Sequence, residues 1–196
     1  MRTSDLRRAA ALFRGPPVLP RLWFFTDPER TPEPWRTATQ LPAGSAVVYR
    51  HFGAPDRLVT ARRLQRLCVR RGLRLIVGAD AALARAVTAA GIHLPERMAA
   101  EAASIKQQEP GWIVTVAAHS AERARASCCA DAIMLSAIYP SQSPSAGEPI
   151  GLPEGGRIAK SAPAPVVALG GVTVACAREL ARAGFAGMAG INLFVE

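Results

Sequence analysis

The chain has 196 residues, 49% of them hydrophobic and 20% charged, which is enough apolar material for a buried core and too much for global disorder. Its formal charge of +9 is almost all arginine, since Lys106 and Lys160 are the only lysines; an anionic ligand, nucleic acid and a plain Arg/Ala bias all fit that excess. No stretch approaches the roughly 18 to 20 apolar residues of a membrane helix, and four cysteines without C-x-x-C spacing suit neither a zinc site nor a disulfide framework, so a reducing cytoplasm is expected.

Residues 1–20 predict a short helix capped by Ser4 and stopped by Gly15 and Pro16. From residue 21 short apolar runs alternate with helical stretches, which predicts strand-helix units and a parallel sheet. The strands fall at 21–27, 46–52, 74–79, 91–94, 112–118, 132–138, 165–170 and 187–194. Helices are clearest at 55–71, 80–90, 97–107, 120–129 and 173–184, with one short turn near Trp35 in the proline-rich segment after the first strand. Within 55–71, Ala61, Leu64 and Cys68 share a face while Arg62, Arg63, Arg66 and Arg70 lie elsewhere, so this basic run reads as a solvated helix side and not as a nucleic-acid surface. Eight strands in this order favour a compact α/β domain over residues 1–196, a (β/α)₈ barrel without an eighth helix and with an extra N-terminal one. An open doubly wound sheet is the alternative.

In a barrel, chemistry gathers where strands end. That places Thr26, Asp27, Arg50, His51, Phe52, Asp80, His93, Glu96, His119, Ser120, Asn192 and the loop 139–145 at the candidate mouth. The pair Gly170-Gly171 precedes a helix start near Thr173, so it is either a plain turn or a backbone cradle for an anion. Gly187 and Gly190 in the eighth strand favour the cradle, because the loops after strands seven and eight of barrels frequently share one phosphate site. His119 can move protons near neutral pH or simply bond to backbone.

Taken in order, "LWFFTD", "VVYRHF", "AGIHL", "VAAHSAERA", "SAIYPSQS", "PVVALGGVT" and "AGFAGMAG" make residues 22–194 resemble the thiamine phosphate synthase family and its thiazole tautomerase relatives. The resemblance implies a (β/α)₈ barrel that joins a pyrimidine diphosphate to a thiazole phosphate, releasing diphosphate with the help of Mg²⁺. It implies phosphate binding by Gly170 and Gly171, with Gly190, Ile191 and Asn192 completing that site. Arg50 would contact the diphosphate, and Ser141 and Ser143 match two hydroxyl residues of the loop after strand six.

The departures are specific. The family's Q-x-R-x-K reads Val48, Arg50, Phe52; its Asn-Asp pair falls on Gly78 and Ala79; its later aspartate falls on Met98. The expected Mg²⁺ ligands are therefore absent unless Asp80 or Glu96 substitutes. Three functions follow: a synthase-like transferase, a metal-independent tautomerase-like isomerase with His119 as its catalytic group, and a barrel that only binds a phosphorylated ligand. In each, the partner is a small phosphorylated molecule, with no nucleic acid or membrane, and a homodimer is compatible with the chain.

Overall fold

The computed structural model describes residues 3–141 and 147–194. Its eight parallel strands are β1 (Leu22–Phe25), β2 (Ala46–Tyr49), β3 (Arg74–Gly78), β4 (Gly91–Leu94), β5 (Ile113–Ala118), β6 (Ala132–Leu135), β7 (Val166–Ala168) and β8 (Gly187–Gly190). They close in chain order into one barrel, with β8 against β1 in the register Leu22↔Met188, Trp23↔Ala189, Phe24↔Gly190. Around it stand α1 (Thr3–Ala10), α2 (Pro34–Ala38), α3 (Arg57–Arg71), α4 (Ala81–Ala86), α5 (Ala102–Gln108), α6 (Ala121–Ala126), α7 (Leu152–Ser161) and α8 (Ala177–Ala183). No described helix is long and apolar enough to cross a membrane.

Strand side chains alternate between two cores. Trp23, Phe25, Val48, Ile76, Met134, Val167 and Ala189 fill the barrel interior. The alternate residues, among them Phe24, Val47, Tyr49, Leu75, Ile133 and Met188, pack under the helices. Burial on both faces is why the strands read as continuous apolar runs. Fully buried Trp23 and Phe24 each contribute about 1.5–3 kcal/mol by leaving water.

The predicted basic helix is α3: Ala61, Leu64 and Cys68 are buried, Arg62, Arg66 and Arg70 are exposed, and Arg63 lies over Trp35 with its guanidinium carbon 3.6 Å from the ring centre. Left-handed Gly72 ends it. Several expectations are corrected. Ser4 lies inside α1 instead of capping it, and that helix ends at Ala10, well before Gly15. Strands β1, β2, β3, β6, β7 and β8 stop earlier than predicted, because the residues that follow leave the ladder for the loops. Helix α4 stops at Ala86, two residues before Thr88 takes a positive φ of 55°.

Helix α7 was not among the clear predictions, since Pro153, Gly155 and Gly156 read as a turn. Those glycines are buried contacts: a Cβ on Gly155 would stand 3.0 Å from Ile138 and Phe185, and one on Gly156 would stand 3.2 Å from Ala183. After β8 the described chain makes a single 3₁₀ turn, Asn192–Phe194. The extra helix α1 packs against α8 and the 3₁₀ turn Val174–Cys176, and its Leu6 and Ala9 join the core that includes Phe24 and Phe194.

Candidate active site

The mouth is formed by the carboxyl ends of the strands. On one side, β7 runs into Gly170 (φ 86°) and Gly171 (φ 65°), both in the left-handed region. A Cβ on Gly170 would lie 2.8 Å from Cα of Ala137, and one on Gly171 would collide with the carbonyl of Pro140 and stand 2.7 Å from Cβ of Tyr139. Tyr139 N donates to Gly170 O at 3.1 Å, so the loop after β6 is laced to the pair and brings Ser141, next to Pro140, to the same wall. Among the described residues the amides of Gly170 and Gly171 donate to no acceptor. Such an outward-facing amide pair suits an anion.

Gly190 ends β8, and a Cβ there would stand 2.9 Å from Leu193 Cβ; its bareness lets the turn that holds Asn192 fold back. Ile191 sends its side chain into the barrel interior, so its contribution to the mouth is backbone. Gly187 plays a different part from the one expected. It starts β8 at the opposite end of the barrel, where a Cβ would meet Arg21 O at 2.6 Å, so it serves strand packing. Ser143 lies outside the described residues.

Across the mouth, Arg50 continues β2 inward. Its amide donates to Thr26 Oγ1 at 2.9 Å, its Nε donates to Thr26 O at 3.3 Å, and its guanidinium lies 5.2 Å from the Phe25 ring centre. Burial lowers its pKa, Asp27 opposes that, and Arg30 adds to it; a guanidinium stays charged regardless. Asp27 itself is occupied. Burial would raise its pKa, but hydrogen bonds from Arg30 outweigh this, including a 2.9 Å ion pair. His51 is buried beside Tyr49, with ring centres 5.0 Å apart.

Below Arg50, His93 is buried with Nδ1 3.0 Å from Thr115 Oγ1, while that hydroxyl reaches Ile92 O at 3.5 Å. Burial first, and Arg50 second, bring the His93 pKa from 6.5 to about 3. Between those values the unfolded chain takes up a proton that the folded chain refuses, so stability falls as pH drops through the window. His51, lowered chiefly by burial, acts in the same direction. Urea unfolding between about pH 6 and pH 4 should show His93→Gln with a shallower loss, by up to about 1.4 kcal/mol per pH unit; an unchanged slope would remove His93 as the cause.

Two acidic residues near the mouth are already paired. Asp80 Oδ1 caps α4 by accepting from Leu83 N at 2.8 Å, and its Oδ2 holds Arg57 at 2.7 Å, whose other arm donates to Gly78 O at 3.2 Å. Glu96 Oε2 accepts from the backbone N and from Nδ1 of His119, both at 2.9 Å, and its Oε1 lies 3.3 Å from Nε of Arg123. Gly78 and Ala79 offer no side-chain oxygen, and Ala79 sits at φ 54°. Mg²⁺ wants carboxylate and water oxygens in an octahedron; with each nearby carboxylate facing a guanidinium or imidazole, this donor set does not fit it. Among the described residues no cluster of three acidic, histidine or cysteine side chains forms. Asp80→Ala removes both cap and pair and leaves Arg57, whose Nε is buried without a partner, further unsatisfied. A loss of about 1–3 kcal/mol in urea unfolding is expected.

Arg57 and Arg123 were not foreseen as parts of this rim. With Nδ1 donating to Glu96, His119 keeps Nε2 as its acceptor nitrogen, the arrangement of a positioned proton carrier.

A family model described as thiamine monophosphate synthase matches residues 24–194. The chain is 32% identical over 185 residues to a protein of Aquifex aeolicus named "Putative thiamine-phosphate synthase 2", covering 91% of this chain and 99% of that one. It is 33% identical over 141 residues to the thiamine-phosphate synthase of Geobacillus kaustophilus, covering 70% of this chain and 63% of that one. Among solved structures, thiamine phosphate pyrophosphorylase from Pyrococcus furiosus superposes with a TM-score of 0.73 at 28% identity, covering 88% of this chain and 85% of the other.

Proposed function

The chain belongs to the thiamine monophosphate synthase family, transferases of thiamine biosynthesis, and we propose that its mouth binds a thiazole phosphate on one side and a pyrimidine diphosphate on the other. The observation that carries this is the Gly170-Gly171 pair: two left-handed residues with no room for a Cβ and with amides that donate to nothing among the described residues. The phosphate takes those amides, with the backbone of Gly190, Ile191 and Asn192 and the hydroxyls of Ser141 and Ser143 completing its shell. Arg50 meets the diphosphate, held in aim by Thr26 and Phe25. Diphosphate departure builds negative charge, and a guanidinium fixed beforehand at low solvent exposure stabilises it without reorganisation. We derive no step through Mg²⁺, because the carboxylates at this mouth are engaged elsewhere.

The test is synthesis of thiamine phosphate from both substrates, with Mg²⁺ varied. Turnover supports the reading; binding of thiazole phosphate without turnover at high protein concentration leaves a ligand-binding barrel.

A second reading rests on the Glu96–His119 pair. A carboxylate-oriented imidazole at the same barrel mouth as a phosphate cradle can shuttle a proton on a bound thiazole carboxylate phosphate. Turnover of that substrate, lost in His119→Ala, would establish an isomerase. Arg50 and the amides of Gly170 and Gly171 suit a small phosphorylated molecule, and the arginines of α3 are spread over a solvated side, so we propose no nucleic-acid or membrane partner. A single domain over residues 1–196 working in the cytoplasm completes the proposal.

A further inference from the structure

The cysteines differ sharply in what surrounds them. Cys68 is buried in α3, and burial pushes its thiol up to about 12. Cys176 is half-buried and contacts Thr173 Oγ1 at 3.3 Å. Cys128 and Cys129 are both exposed, with their sulfurs 3.8 Å apart.

The pair lies on the turn between α6 and β6, at the end of the barrel opposite the mouth. Both flanks of the turn are anchored. Ser127 donates its amide to Ala124 O and its hydroxyl to Arg123 O, and Ala130 N donates to Ser127 O. Asp131 then donates to Val114 O, while its carboxylate accepts from Lys106 and from Val114 N. The two thiols are therefore presented from a fixed base, which lowers the ordering cost of engaging both at once.

The spacing distinguishes what the pair can hold. Two thiolates around a tetrahedral ion, with metal–sulfur bonds of ~2.3 Å, stand about 3.8 Å apart. A disulfide needs about 2.05 Å, shorter than the 3.8 Å at which the two sulfurs stand. We propose that Cys128 and Cys129 form an open, two-sulfur site for a soft thiophilic metal ion, solvent or a small thiol completing its coordination. Soft ligands of this kind select soft ions over Mg²⁺. Among the described residues no third acidic, histidine or cysteine donor joins the pair, so the site is open by construction. Binding follows M²⁺ + 2 RSH → M(SR)₂ + 2 H⁺, with both protons going to solvent.

Cd²⁺ titrated into the reduced full chain is the test. The expected result is one Cd²⁺ per chain, a thiolate-to-metal ultraviolet band and release of two protons. Affinity should fall at least tenfold in Cys128→Ser and in Cys129→Ser, and stay unchanged in Cys176→Ser, with circular dichroism showing all variants folded. Full affinity in the double Cys128→Ser, Cys129→Ser variant, or binding without the thiolate band, overturns the proposal. So does quantitative loss of two hydrogens, read by mass, under mild peroxide with no Cd²⁺ uptake by the reduced protein.

Discussion

Gly171→Ala is expected to weaken thiazole phosphate binding by at least a hundredfold while leaving the barrel folded. The added methyl must sit where the carbonyl of Pro140 and Cβ of Tyr139 already stand, and neither is the far end of a flexible side chain. The φ of 65° is itself unfavourable for alanine, at about 1–2 kcal/mol. The loop after β6 has to back away, and the amide of residue 171 turns with it. Calorimetric titration with thiazole phosphate reads the effect, and circular dichroism reads the fold. Gly170→Ala meets Cα of Ala137 at 2.8 Å and should act alike. Unchanged affinity in both variants would remove the phosphate from this turn.

The second large effect concerns Arg50. Arg50→Gln should lower kcat/KM for the diphosphate substrate by about 10²–10³, the range for losing one preorganised donor at a developing anion. Arg50→Lys should recover little, since Nε of the guanidinium donates to Thr26 O and its plane faces Phe25, and an ammonium reproduces neither contact. Thiazole phosphate affinity should hardly change, because the cradle is across the mouth. If both substrates weaken equally, Arg50 supports the mouth's structure and does not select the diphosphate.

The fold was largely legible because its physics is local and repetitive. Each strand is an apolar run buried on both faces, and each run was found. Helix α7 was missed because its glycines follow a tertiary demand, the close approach of Ile138, Phe185 and Ala183, which no helical period reveals. The site divides in the same way. Gly170 and Gly171 are punctuation that a sequence displays openly. The pairs around the rim are not, because each joins two consecutive units: Arg57 to Asp80 and Glu96 to His119 are 23 residues apart, and His93 to Thr115 are 22 apart. A search for complementary side chains one unit apart could have found them, given a closed barrel. The same pairs bear on whether Asp80 or Glu96 is available to a metal, which residue types alone had left open.

Helix α1 has a consequence for how the molecule is made. Its apolar face is covered by α8 and the turn before it, and β1 receives its second neighbour only from β8. Partners separated by nearly the whole chain impose the highest loop-closure cost in the structure. Until β8 and α8 dock, α1 and β1 therefore keep Leu6, Ala9 and one strand edge uncovered. Barrel closure thus depends on the contacts most distant along the described chain, and the cohesion of α1 and β1 is tied to the docking of β8 and α8.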